Sequence, residues 1–220
     1  MRELEQGLWH WQAEHPDWVA GEPWDPAVSS YAIDDGTRLL LFDPLGVPSE
    51  IEALEADREP AIVLTAPWHE RDSRSLVERL GAPVFTPHPD TQEDLMEQFG
   101  LTAEQAGGGS PDVRWLISGE AGEGHFYAAG DRLPFGVEAF PGHKRNDLVL
   151  WIEDRGAVVA GDTLADHGQG LQINERWLTA SVTRAQVAER LRPLLELPVK
   201  HVLATHGGPM DRAALERALA

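Results

Sequence analysis

Apolar positions along the chain come in short runs broken by glycine, proline and polar pairs, with no long stripe at a single period. Residues 7–12, 29–33 and 38–42 read as strands, the last two joined by a turn at Asp34-Asp35-Gly36. Residues 61–65 and 83–86 are further apolar strands. In the second half, 113–117, 125–129, 137–140, 147–152, 157–160 and 202–204 have the same character. Helical patterns fall between them: 48–56 with Ser49 as cap, 73–80 closed by Gly81, and 91–99 between Thr91 and Gly100. A stronger one runs from Arg184 to Leu195 behind Thr183, and 211–219 forms the last. Gly107-Gly108-Gly109-Ser110-Pro111 is the one flexible stretch and is expected to join two layers. Two runs of strands, each followed by helices, predict an α/β (α+β) chain with two facing sheets and helices outside, a four-layer αββα sandwich. One domain over 1–220 is expected, with a tryptophan-rich arm, residues 1–28, packed on it.

Composition narrows this picture. Hydrophobic residues make up 42% of the 220, enough for an ordinary core. Eighteen basic against 37 acidic residues give a net charge of −19, which disfavours nucleic acid and anionic membranes as partners. There is no cysteine, so disulfides and thiolate ligands are excluded together. No apolar stretch nears the roughly 20 residues of a membrane span. Residues 1–12 carry charges and two tryptophans where a signal peptide has a basic start and an apolar run, so a cytoplasmic protein is expected. Trp9, Trp11, Trp18 and Trp24 are read mainly as glue for the arm, with a pocket lining as the alternative.

Chemistry concentrates in four segments that follow strands: Thr65-Ala66-Pro67-Trp68-His69-Glu70-Arg71-Asp72, Phe140-Pro141-Gly142-His143, Gly161-Asp162-Thr163-Leu164 and Ala204-Thr205-His206-Gly207. Strand ends hold side chains on a rigid edge, and the glycines let backbone approach a ligand. In this order the segments resemble the metallo-β-lactamase superfamily from about residue 30 to the C-terminus. The gaps of 19 positions from His143 to Asp162 and 44 from Asp162 to His206 are of that family's kind. Phe42-Asp43-Pro44 resembles its early strand with a structural aspartate.

The family's His-x-His-x-Asp-His motif is degenerate here: Pro67, His69, Arg71 and Asp72 stand at its four ligand positions. The resemblance implies His69 and His143 at a first metal position and His206 at a second, with Asp162 bridging and Asp72 replacing a missing histidine. Zinc is the first choice, with manganese or iron open, as one ion or none. The implied activity is a hydrolase that turns a metal-bound water on an ester, lactone, thioester or amide, with Asp162 orienting that water or carrying its proton. Arg71 is a fixed cation where a carboxylate ligand is expected. Pointing inward, it opposes a divalent ion and is expected to pair with Asp162 or Asp72 in a metal-free binding or scaffold module; pointing outward, it is an ordinary surface arginine. A small-molecule substrate is expected, and an RNA-processing nuclease is disfavoured by the charge. His10, His15, His88, His125, His167 and His201 match no ligand position, although His88 and His167 lie in loops near the proposed mouth.

Overall fold

The computed structural model describes residues 1–220. Its first sheet runs in spatial order β1 (Arg2–Glu5), β2 (Leu8–Glu14), β3 (Ala27–Asp34), β4 (Arg38–Phe42), β5 (Glu59–Val63), β6 (Val84–Pro87) and β7 (Gly124–Tyr127). The strands are antiparallel up to β4 and parallel from there on. The second sheet contains β8 (Arg132–Leu133), β9 (Val137–Pro141), β10 (Leu148–Ile152) and β11 (Ala157–Val159). A separate ribbon, β12 (Leu164–Ala165) with β13 (Gln172–Ile173), precedes β14 (His201–Leu203) and β15 (Pro209–Asp211). The second sheet has the order β15-β14-β11-β10-β9-β8.

Side chains alternate across each central strand, so an unbroken apolar run means that both faces are covered. Leu40 and Phe42 of β4 enter the core between the sheets, where they meet Leu148, Leu150 and Ile152 of β10. Leu39 and Leu41 face outward with Leu76 and Val77 of α2 (Ser73–Leu80). On the far side, Val149 and Trp151 pack against Val187 and Leu191 of α6 (Arg184–Leu191) and Leu215 of α7 (Arg212–Ala218). Three apolar clusters separate four layers, and the αββα sandwich expected from the strand order is the architecture found. No helix is long and apolar enough to cross a membrane.

Several helix ends follow the sequence signals. Thr91 caps α3 (Gln92–Phe99) and Thr183 caps α6 through reciprocal bonds with the third helical residue. Gly81 and Gly100 close α2 and α3 in the left-handed region. Ser49 lies inside its helix, α1 (Ser49–Glu52), and Pro48 takes the cap position. Pro193 converts the end of the expected 184–195 helix into a 3₁₀ turn at Arg192–Glu196, because it has no N–H to donate.

Three expectations change. Residues 113–117 are helical: α5 (Arg114–Ile117) starts from Val113 at φ 46°. Val113, Trp115 and Leu116 all enter the outer cluster, an i, i+2, i+3 set that one face of a strand cannot present. The Gly107–Pro111 stretch does not join the two sheets, since β6 before it and β7 after it belong to the same one. The chain crosses between sheets at 128–131. The N-terminal segment is regular up to Glu14, where β1 and β2 extend the first sheet, and only the loop between β2 and β3 is irregular.

Gly142 sits where backbone and side chains close on it: a Cβ there would lie 2.2 Å from the Asp147 carbonyl oxygen and 2.3 Å from Thr163 Oγ1. Gly142→Ala should therefore cost about 2–3 kcal/mol in urea melts. Gly108→Ala, with nothing within 4 Å, should stay within about 0.5 kcal/mol of wild type. Equal midpoints for the two variants would show that the rim is looser than described.

Candidate functional site

The polar residues gather at one edge of the sandwich because the strands that carry them end there. Asp43 follows β4 with φ 46°, a left-handed backbone that turns its buried carboxylate across the edge. Asp43 Oδ1 accepts from the Thr65 amide at 2.8 Å and Oδ2 from Thr65 Oγ1 at 2.7 Å. His69 Nδ1 lies 2.9 Å from Thr65 Oγ1 and 3.2 Å from Asp43 Oδ2. Its other nitrogen, Nε2, is 3.1 Å from Asp162 Oδ1. His206 Nε2 reaches the same oxygen at 3.3 Å, and Trp68 Nε1 donates to Asp162 Oδ2 at 2.9 Å. His69, Asp162 and His206, taken from three loops on sequence grounds, are therefore brought together.

This cluster is held by charge as well as by hydrogen bonds. Burial alone would push protons off His69, but the Asp162 and Asp43 carboxylates on its two nitrogens outweigh that and raise its pKa to about 10. Burial would raise Asp162; His69 and His206 reverse this and hold it well below the usual carboxylate range. Asp43 is likewise lowered against its burial, by His69 and then by Arg71 and Thr65. The field of these two carboxylates thus favours the protonated form of His69.

His143 belongs to a parallel arrangement a few residues away. Its Nδ1 lies 2.5 Å from Asp147 Oδ2 and 3.2 Å from Thr163 Oγ1, while Asp147 Oδ1 accepts from the Asp162 amide at 3.1 Å. His143 Nε2 is buried without a partner, and the residue lines a different cavity, with Arg145, Thr179 and Arg190. Asp72 occupies the position before α2, makes no side-chain cap there, and accepts instead from the Gly46 amide at 2.7 Å. It joins none of the histidines.

Arg71 points inward. Its φ of 41° makes it one of four non-glycine residues in the left-handed region, and Nη1 donates to the carbonyls of Asp43 at 2.6 Å and Ser29 at 3.3 Å. Its Nε is buried without a partner. It makes no ion pair with Asp162 or Asp72 within 4.0 Å, yet both carboxylates, together with Asp43, oppose the burial that lowers its pKa. Strain of this kind persists where the surroundings over-determine it, here by turning a cation into the pocket.

The pocket itself has a volume of about 350 Å³, and His69, Arg71, Asp162 and His206 lie in its wall. Sequence reasoning missed much of the remaining lining: Trp68, Trp177 and Lys144, and His15 from the loop after β2. Trp68 stands next to His69 within the degenerate motif, and Asp147 stands four residues after His143; both positions were signals available in the chain. Of the N-terminal tryptophans, Trp11 is glue, buried and donating to Leu45 O at 2.8 Å, whereas Trp24 lines the pocket and meets the His206 ring edge-on at 5.5 Å. A larger cleft of about 730 Å³ contains no histidine and is lined by Glu3, Glu5, Asp34 and Arg58 among others.

No family model matches the chain, and no curated protein does. Solved structures do. DIM-1 metallo-beta-lactamase exposed to ceftazidime is 13% identical over 99% of this chain and 93% of its own, with a TM-score of 0.63. An archaeal metallo-beta-lactamase superfamily protein from Sulfolobus tokodaii is 16% identical over 97% and 84%, at 0.64. A metallo-beta-lactamase family protein from Thermus thermophilus is 20% identical over 98% and 78%, at 0.58. At these identities the likeness defines the class by architecture: the chain has the metallo-β-lactamase fold.

That fold implies a metal, and the donor set can be tested against one. No group of three or more His, Asp or Glu side chains is arranged to hold an ion. His69 has both nitrogens engaged inside the protein, Nδ1 by Thr65 and Asp43 and Nε2 by Asp162. Asp72 is turned to Gly46, His143 lines another cavity, and the fixed charge of Arg71 occupies the same wall. The residues present do not fit a divalent ion.

The protonation of His69 sets a pH dependence. A folded pKa of about 10 against an unfolded value near 6.5 means that His69 stabilises the fold fully below pH about 6.5 and loses this as pH rises toward 10. Melts of wild type should therefore fall through this window by up to about 5 kcal/mol more than melts of His69→Gln. Parallel curves for the two proteins would remove the charge from His69.

Proposed function

We propose that this chain is a metal-free member of the fold whose pocket binds a small organic molecule. The observation that carries this reading is His69, held at both ring nitrogens by the Asp43 and Asp162 carboxylates beside an inward Arg71. Fixed cations, a histidinium and a guanidinium, balance the buried carboxylates that a metal ion would otherwise balance. His69 and Asp162 are engaged with each other, and His69 with Asp43 as well, so neither is free to act as a general base, and we assign the pocket to recognition. The three neighbouring structures are named for metallo-beta-lactamases. Under this reading, the present chain retains their fold without their chemistry.

A metallohydrolase remains the second reading, because one observation favours it. His143 Nδ1 leans on Asp147 while Nε2 stays unpartnered, the posture of a histidine whose outer nitrogen is oriented for a ligand. Metal analysis of protein purified without chelator separates the readings. Substoichiometric zinc, manganese and iron are expected, with a melting temperature indifferent to chelator. Arg71→Ala should lose about 2 kcal/mol, since it takes a donor from the buried carbonyls of Ser29 and Asp43, the latter keeping only Ser30 Oγ, and removes a cation from the field of Asp43 and Asp162. One tightly held equivalent, a chelator-sensitive melt and a harmless Arg71→Ala would establish the hydrolase instead.

A further inference from the structure

We infer that the pocket selects a small organic anion with a flat apolar body, of the aromatic carboxylate class. The inference rests on the metal-free reading and adds to it the chemistry of the ligand. The walls supply the apolar part: Trp24, Trp68 and Trp177 line a cavity of about 350 Å³, near the lower end of the range for small-molecule sites and suited to one or two fused rings.

The charge comes from Lys144, which no acidic side chain pairs, with the guanidinium of Arg71 in the same wall. Lys144, one of two lysines in a chain of net charge −19, has no carboxylate within 4.0 Å. Its Nζ lies 5.0 Å from the Trp68 ring centroid and 5.7 Å from that of Phe99. Arg71 is bonded only to backbone carbonyls. One buried donor in the pocket residues, Arg71 Nε, has no partner in the protein, and such atoms are rarely left unmatched.

Three tryptophans beside a carboxylate could equally suit a quaternary ammonium ion. Two features decide against it. Asp162 already receives three donors, from His69, His206 and Trp68, so its charge is answered inside the protein. The Trp68 face is taken by Lys144, and a ligand cation would meet both Lys144 and Arg71, with the exposed Glu22 at the pocket as the one lining carboxylate that no cation pairs. A carboxylate meets the opposite field and finds donors whose hydrogen bonds are charge-assisted.

Titration calorimetry on chelator-dialysed protein, with metal measured on the same samples, tests this using 2-naphthoate, 2-naphthamide and benzyltrimethylammonium. Saturable one-to-one binding of 2-naphthoate is expected, at least about tenfold tighter than that of 2-naphthamide. Lys144→Gln should weaken it about tenfold and Trp24→Ala by a similar factor, both with wild-type melting temperatures, while Lys200→Gln should leave it unchanged. Equal affinity for acid and amide, or a preference for the ammonium ion, overturns the inference. No naphthoate binding by metal-free protein, with or without added zinc, sinks it alone and leaves the metal-free reading standing. Binding that appears only when zinc is restored removes both.

Discussion

The site is organised by a carboxylate that cannot reach water. Asp43 is 2% exposed, and its charge must be answered within the protein, because an isolated buried carboxylate is too costly to keep ionised. Thr65 answers it with a backbone and a hydroxyl hydrogen bond, His69 with a ring nitrogen, and Arg71 through the field of its guanidinium. These partners come from the loop after β5, so the constraint ties the ends of two adjacent parallel strands together. Once His69 is fixed by Asp43, its far nitrogen meets Asp162 at the end of β11, in the other sheet. One buried charge thus connects both sheets at their rim.

Asp147 repeats the device at the start of β10. It is fully buried and engages His143, Thr163 and the amide of Asp162. Gly142 and Gly161 exist because this carboxylate and its backbone leave no room: a Cβ at Gly161 would lie 2.6 Å from Asp147 Oδ1. The glycines of the Pro-Gly-His and Gly-Asp-Thr segments therefore serve the packing around Asp147 before they serve any ligand. The two hubs differ in their outcome. Asp43 acts together with Asp162 to favour the protonated form of its histidine, whereas His143 leans on one hub and turns its other nitrogen to no partner.

Most of the fold was legible in the chain because its central strands are buried on both faces, which leaves runs such as Leu148–Ile152 with no polar interruption. The 113–117 segment misled because a short apolar run reads alike as strand or helix, and only the demand that Val113, Trp115 and Leu116 share a face decides it. The loops bearing His69, Asp162 and His206 were legible from their order. The placement of Asp72 and His143 was not, since it depends on which backbone amide or carboxylate each side chain meets across the fold. Lys144, Trp177 and His15 carry no motif at all; they reach the pocket from loops whose path only the tertiary structure fixes.

On the proposed metal-free reading, side chains stand where an ion would, and more than the charge count changes. A divalent ion brings two charges to one point and can leave the site, whereas His69 and Arg71 are covalently part of it and are spread over its wall. The cost appears in the backbone: Asp43 and Arg71 account for two of the four non-glycine residues at positive φ. Conformations of this kind cost on the order of 1–3 kcal/mol each and survive only where neighbouring contacts over-determine them. At Asp43 those contacts are Thr65 and His69; at Arg71 they are the carbonyls of Asp43 and Ser29. The strained residues therefore hold each other: the left-handed turn at Asp43 presents the carbonyl that receives Arg71, and the left-handed turn at Arg71 delivers the guanidinium that helps to keep Asp43 ionised. A rim stabilised in this reciprocal way is built before any ligand arrives, which on the proposed reading lowers the ordering cost of recognising one small molecule.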